Sequence, residues 1–138
     1  MSITMARAEI MAEIQTIEGI RMAPDGVPEK AQFPFAVSFA DNGRYEFFND
    51  AQFRAFHNIT LEIHVEREPD LERRYNTMEP FIDLIPKHLQ AKCKTRVWQA
   101  IQTWERIDYD VTPSQWNGVK TLAVKFILRN VKVISNYD

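Results

Sequence analysis

The chain has 138 residues, 45% of them apolar and 26% charged, which is enough for one domain and too little for two independent cores. A domain of this size buries roughly two-thirds of the surface its unfolded chain exposes, so it needs no disulfide or metal staple. A formal net charge of -2 and a pI of about 5.9 argue against a dedicated nucleic-acid reader, which would carry a basic face.

Cys93 is the only cysteine, so no internal disulfide framework is available and the chain suits a reducing compartment. It stands between Lys92 and Lys94, and is read as an incidental thiol. No apolar run approaches the ~20 residues of a membrane span, so no membrane partner is expected. Glu9, Glu13 and Glu18 interrupt the first 21 residues, which is not the pattern of a signal peptide, and the expectation is a protein of the cytosol.

Ile10, Met11, Ile14, Ile17 and Ile20, with Ile3 before them, form one apolar stripe and predict a helix over about residues 4–19. Ser2 or Thr4 can cap its start, Gly19 weakens its end, and Pro24, Asp25 and Gly26 close it. Phe33, Phe35, Val37 and Phe39 then alternate with smaller or polar residues, the mark of a strand with one aromatic face. Asn42-Gly43 predicts a hairpin turn, with a return strand over residues 45–49 and a break at Asn49-Asp50.

Residues 51–65 alternate most regularly, with Phe53, His57, Ile59, Leu61, Ile63 and Val65 on one parity. Arg54, Asn58, Thr60, Glu62 and His64 share the other parity, which predicts a half-buried strand with one wet face; only Phe56 breaks the rule. At about 3.3 Å per residue this strand would span roughly 50 Å, so it must bend at a bulge or project beyond its own core.

Pro69-Asp70 opens a second helix, in which Leu71, Tyr75, Met78, Ile82, Ile85 and Leu89 form an amphipathic stripe for core packing. Pro80 and Pro86 predict a kink or two shorter helices. Residues 97–111 read as strand, residues 112–118 as a loop punctuated by Pro113 and Asn117-Gly118, and residues 119–134 as a long last strand before a short loose tail. The fold class is therefore α+β: a mostly antiparallel sheet packed on one face by two helices, in the order α-β-β-β-α-β-β, as a single domain over residues 1–138.

The residue types that carry chemistry do not converge. His57 and His64 lie seven apart on one strand and point to opposite faces, and His88 is remote, so no metal site is expected. His57 is read as lining the sheet and His64 as solvated. The serines stand in no Gly-x-Ser-x-Gly context, and four glycines supply neither a phosphate cradle nor a dinucleotide fingerprint. Glu62, Glu66 and Glu68 near Asp70 read as a solvated strand surface in preference to an acid-base pair. The basic groups at Arg67, Arg73 and Arg74 and over residues 87–96 fit a contact surface better than a DNA reader. No catalytic residue, metal or cofactor is assigned.

The aromatics point to assembly. Phe47, Phe48, Phe53 and Phe56 cluster where not all can face one core, and Trp116 sits in a predicted loop. Exposed apolar patches mark interaction sites, and these five residues are the candidate subunit or partner interface. Ordinary packing under a folded-back loop is the competing account.

Four stretches carry a family resemblance. They are Phe33-Pro34-Phe35-Ala36-Val37 after a helix, and Ile59-Thr60-Leu61-Glu62-Ile63-His64-Val65. The others are the acidic-start helix from Asp70 through Ile85-Pro86, and Ile107-Asp108-Tyr109-Asp110 followed by Thr121-Leu122-Ala123-Val124-Lys125-Phe126. In order and pattern the chain resembles the tail terminator, or tail-completion, proteins of long-tailed bacteriophages, the lambda type in particular. The long last strand and the prolines of the second helix depart from the simplest form.

The resemblance implies a virion structural protein, not an enzyme, that forms a homo-oligomeric, hexameric ring on the finished tail tube. Such a ring ends tube polymerisation and joins the head connector or stopper protein, and DNA passes through its lumen without sequence recognition. The implied location is the head-proximal end of the virion tail, and the host cytoplasm during assembly. A different phage neck adaptor is the nearest alternative, with a small-molecule enzyme using His57 or a ligand-binding domain behind it.

Overall fold

The computed structural model describes residues 3–21, 23, 33–49, 53–66, 71–94, 98, 100–116 and 118–133, with the side chains of 66, 71–76 and 92–94 excepted. The expected features at Pro24-Asp25-Gly26, Asp50, Pro69-Asp70, Asn117 and the tail lie outside these residues, as does the Cys93 thiol.

The apolar stripe at the start forms helix α1, Ile3–Gln15, which buries Ala6, Ile10, Met11 and Ile14. It is shorter than the stripe suggests. Thr16 and Ile17 N–H donate to the carbonyls three residues back, tightening the last turn, and Gly19 then takes a φ of 95° that L side chains resist. Ile17 and Ile20 remain buried all the same, so the stripe tracks burial beyond the helix that it was read as.

Strands β1, Phe35–Phe47, and β2, Phe53–Glu66, form one long antiparallel hairpin. The predicted turn at Asn42-Gly43 is absent: β1 runs straight through it, and its outer end pairs Phe47 with Phe53. Gly43 is needed for a close approach, not a turn. A Cβ there would lie 2.5 Å from the Phe56 carbonyl oxygen and 2.8 Å from His57 Nδ1.

Helix α2, Leu71–Lys94, is a single helix containing both Pro80 and Pro86, where two shorter helices were one expectation. Met78, Phe81, Ile85 and Leu89 are buried along its inner face. The chain then forms β3, Ile101–Thr103, β4, Arg106–Trp116, and β5, Val119–Val133. Most of the predicted loop over residues 112–118 is therefore strand. Pro113 is compatible with this because β4 pairs only with β5 among the described strands, and an edge tolerates a missing N–H. Gly118, with a φ of 82°, helps turn the chain between them.

The result is α+β with a five-stranded antiparallel sheet. The element order is α-β-β-α-β-β-β, because the two predicted strands before residue 50 are one and the strand after α2 is broken at Trp104-Glu105. β3 and β4 lie end to end along one edge of β5, β2 lies along its other edge, and β1 closes the far side. Both helices pack on one face, where Ile59, Leu61, Ile63 and Val65 of β2 stand opposite Leu128, Phe126, Val124 and Leu122 of β5.

The other face is not wholly wet. Phe35, Val37, His64, Thr121 and Ala123 are buried there, under a cluster in which Trp116 reaches Phe35 at 5.1 Å and His64 at 5.5 Å between ring centroids. Phe35 and Trp116 belong to strands three places apart, and a flat sheet would set these strands about 14 Å from each other. The contact therefore requires the sheet to curl.

Candidate functional site

The outer half of the β1–β2 hairpin forms an arm, flanked by β5 as far as Ala55 and free of it only beyond. It begins where two bulges meet at one level of the sheet: Asp41 is the extra residue in β1, and β5 gains one between Leu128 and Val131, where Asn130 has a φ of 54°. Asn58 of β2 lies between them and ties both. Its side-chain amide donates to Asn42 Oδ1, and its Oδ1 accepts the Asn130 N–H at 3.0 Å. The Thr60 hydroxyl donates to the Asp41 carboxylate beside them.

Beyond this line the strand alternation sorts the aromatics onto two faces. Tyr45, Phe47, Phe53 and His57 share the face that carries the helices further in. Ring centroids lie 5.7 Å apart for Tyr45–Phe53 and for Tyr45–His57, and 5.9 Å apart for Phe47–Phe53. Tyr45 is 56% exposed and Phe47 73%. Partial burial pushes the His57 pKa below its ordinary value.

On the reverse face the aromatics are capped by arginine. The Arg44 guanidinium sits 4.3 Å above the Phe56 ring, also pairs with Glu46 at 3.0 Å and donates to Asn130 Oδ1 at 2.7 Å. Arg54 covers Phe48 at 4.4 Å.

The five predicted interface residues thus divide. Phe47 and Phe53 touch, Phe56 lies on the opposite face of the same arm, and Phe48 occupies the bend after β1. Trp116 is elsewhere, half-buried at the far end of the sheet, and is not the exposed loop ring expected. Tyr45, Arg44 and Arg54 were not singled out from the sequence. Their strand parity relative to Phe53 and Phe56 held the information, but the assumed turn at Gly43 broke the register that reveals it.

The far end holds a buried polar chain that corrects two readings. His64, expected in solvent, is 1% exposed, with Nδ1 2.9 Å from the Thr121 hydroxyl and Nε2 2.8 Å from Glu62 Oε1. Glu62, expected on a solvated surface, is half-buried and also lies 3.9 Å from Lys125 Nζ. The His64 hydrogen bond holds the Glu62 carboxyl below the usual carboxylate range, against an opposing push from burial. With Glu62 ionised, Nε2 donates to it, and in a neutral ring Nδ1 accepts from Thr121. Thr121 is fully buried, so its hydroxyl is out of a substrate's reach and the chain ties β2 to β5.

Among the described residues no group of three or more His, Cys, Asp or Glu is placed to hold a metal, and no helix is long and apolar enough to cross a membrane. The space between helices and sheet is filled by side chains such as Ile10, Met11, Met78 and Phe126. An open groove of about 370 Å³ lies where the edge strand is interrupted, lined by Pro86, Gln90, Thr103, Trp104 and Ile107. No protein-family model and no curated protein matches the chain.

Proposed function

We propose that this protein is a structural component of a long-tailed bacteriophage. In this reading it closes as a hexameric ring on the end of the tail tube, ends tube growth and presents a surface to the head connector. It works without a cofactor and catalyses no reaction, and DNA passes through the ring unread.

The observation that supports this reading is the arm. Tyr45, Phe47 and Phe48 are all more than half exposed on a hairpin whose β1 edge pairs with no described strand. Exposed aromatic groups of this kind are unfavourable in a protein that works alone, and favourable at a contact. A contact between the arm and a different surface of the next copy is head-to-tail, and head-to-tail contacts close rings when the rotation allows. The resemblance in element pattern supplies the phage context.

The test is the mass of the protein in solution, with and without purified tail-tube protein. A ring on the tube is expected, and Phe47→Ser should lower ring yield at least tenfold while the free protein keeps its melting temperature. Capture by portal or connector protein alone would assign the chain to the neck instead. A chain that never assembles and never binds tube would sink the proposal.

A further inference from the structure

The two halves of the β1 edge differ. Along the inner half, α1 packs beside the strand and Arg7 Nη1 donates to the Ser38 carbonyl at 3.1 Å. The outer half, from Asp41 to Phe47, is exposed throughout. An edge of this kind is normally blunted by proline, charged side chains or a bulge. Here no proline is present, the bulge at Asp41 lies at the inner end of the segment, and the charges of Arg44 and Glu46 already face each other at 3.0 Å.

The sequence of that outer half is complementary to itself. When a second copy is laid antiparallel with Tyr45 opposite Tyr45, Arg44 of each copy stands opposite Glu46 of the other, on the same face. Gly43 stands opposite Phe47, so each bare glycine gains an aromatic cover. Shifting the register by one residue in either direction loses both matches. We infer that the outer half of β1 pairs two-fold with the same segment of a second copy, in the register centred on Tyr45.

Opposite charges directly across an antiparallel pair attract and aromatic pairs pack, each adding to the backbone ladder. The two sheets become one, and the exposed rings of Tyr45 and Phe47 from both copies form a continuous strip with Phe53. This contact is two-fold where the ring contact is head-to-tail, so the two are alternative uses of one arm. The inference goes beyond the ring proposal and stands without it.

The test uses the full chain with Cys93→Ser and no tail-tube protein. Tyr45→Cys should cross-link to a covalent dimer on mild oxidation, because the two positions face each other within disulfide reach. Phe47→Cys should not, since the register sets its two copies about 13 Å apart along the strands. By sedimentation, Arg44→Glu and Glu46→Arg should each weaken the dimer roughly tenfold, and the double exchange should restore it. Circular dichroism identifies any variant that fails to fold. A monomeric parent chain, an uncrosslinked but folded Tyr45→Cys chain, or a folded double exchange that stays monomeric each overturns the inference, whatever the fate of the ring.

Discussion

Two side chains of β2 tie stability to pH, and they do so in separate windows. His57 has a folded pKa below its ordinary value of 6.5, so the unfolded chain binds its proton first as pH falls. Stability is therefore full above about pH 6.5 and declines below it, until the folded pKa is reached. Glu62 is likewise depressed, by its bond to His64; its contribution is present above the ordinary 4.5 and is lost as pH falls through the folded value. Melting temperature measured from pH 8 to pH 3 should fall in two stages. His57→Gln should remove the upper stage and leave the lower, and Glu62→Gln should shrink the lower stage, to which Asp108 beside Arg129 also contributes, and leave the upper. A single stage in the parent chain would contradict this assignment. Neither behaviour was legible in the sequence: His64 and Glu62 alternate with apolar residues as solvated groups do, and His64 is covered by the Phe35 and Trp116 rings, the second a contact across strands that alternation does not encode.

At the scale of elements, the β1–β2 hairpin was half legible. Residues 51–65 alternate so regularly that β2 is legible almost to the residue, and a strand so long must bend at a bulge or project. The bulges are in the two neighbours of β2, at the level of its Asn58. The error lay at Asn42-Gly43, because a glycine that favours a turn equally permits the close approach to a neighbouring strand that Gly43 makes to β2. Nothing local separates the two outcomes. The length of β2, which offers partners as far as Phe53, decides in favour of a continuous strand. Gly43→Ala tests this. Its methyl group would meet the β2 backbone, which has little freedom to yield, so the substitution should destabilise the protein by roughly 1–3 kcal/mol in chemical denaturation. A neutral result would indicate a turn-like Gly43 after all.

For the molecule as a whole, the pairing pattern predicts a gradient of local stability. The inner parts of β2 and β5 lie in the middle of the sheet and under both helices, whereas the outer half of β1 is exposed and pairs on one side only among the described strands. Hydrogen exchange followed by mass spectrometry should show Asp41–Phe47 exchanging first and the Ile59–Val65 and Leu122–Leu128 segments last. Uniform protection along β1 in dilute protein would refute that gradient. The α+β class and the single helix-packed face were readable from hydrophobic period alone, because burial on one face writes itself into every second residue. The curl was not, since it depends on rings that meet only after the sheet forms. The Asn58 tie has a consequence for how such a protein can change. Outward of it, β5 accompanies β2 only as far as Ala55, so residues added in matched pairs at the hairpin tip lengthen the arm by about 3.3 Å per pair and leave the register of the core untouched. Reach is thus an adjustable dimension of this fold, open to variation or engineering independently of the stability of the body that carries it.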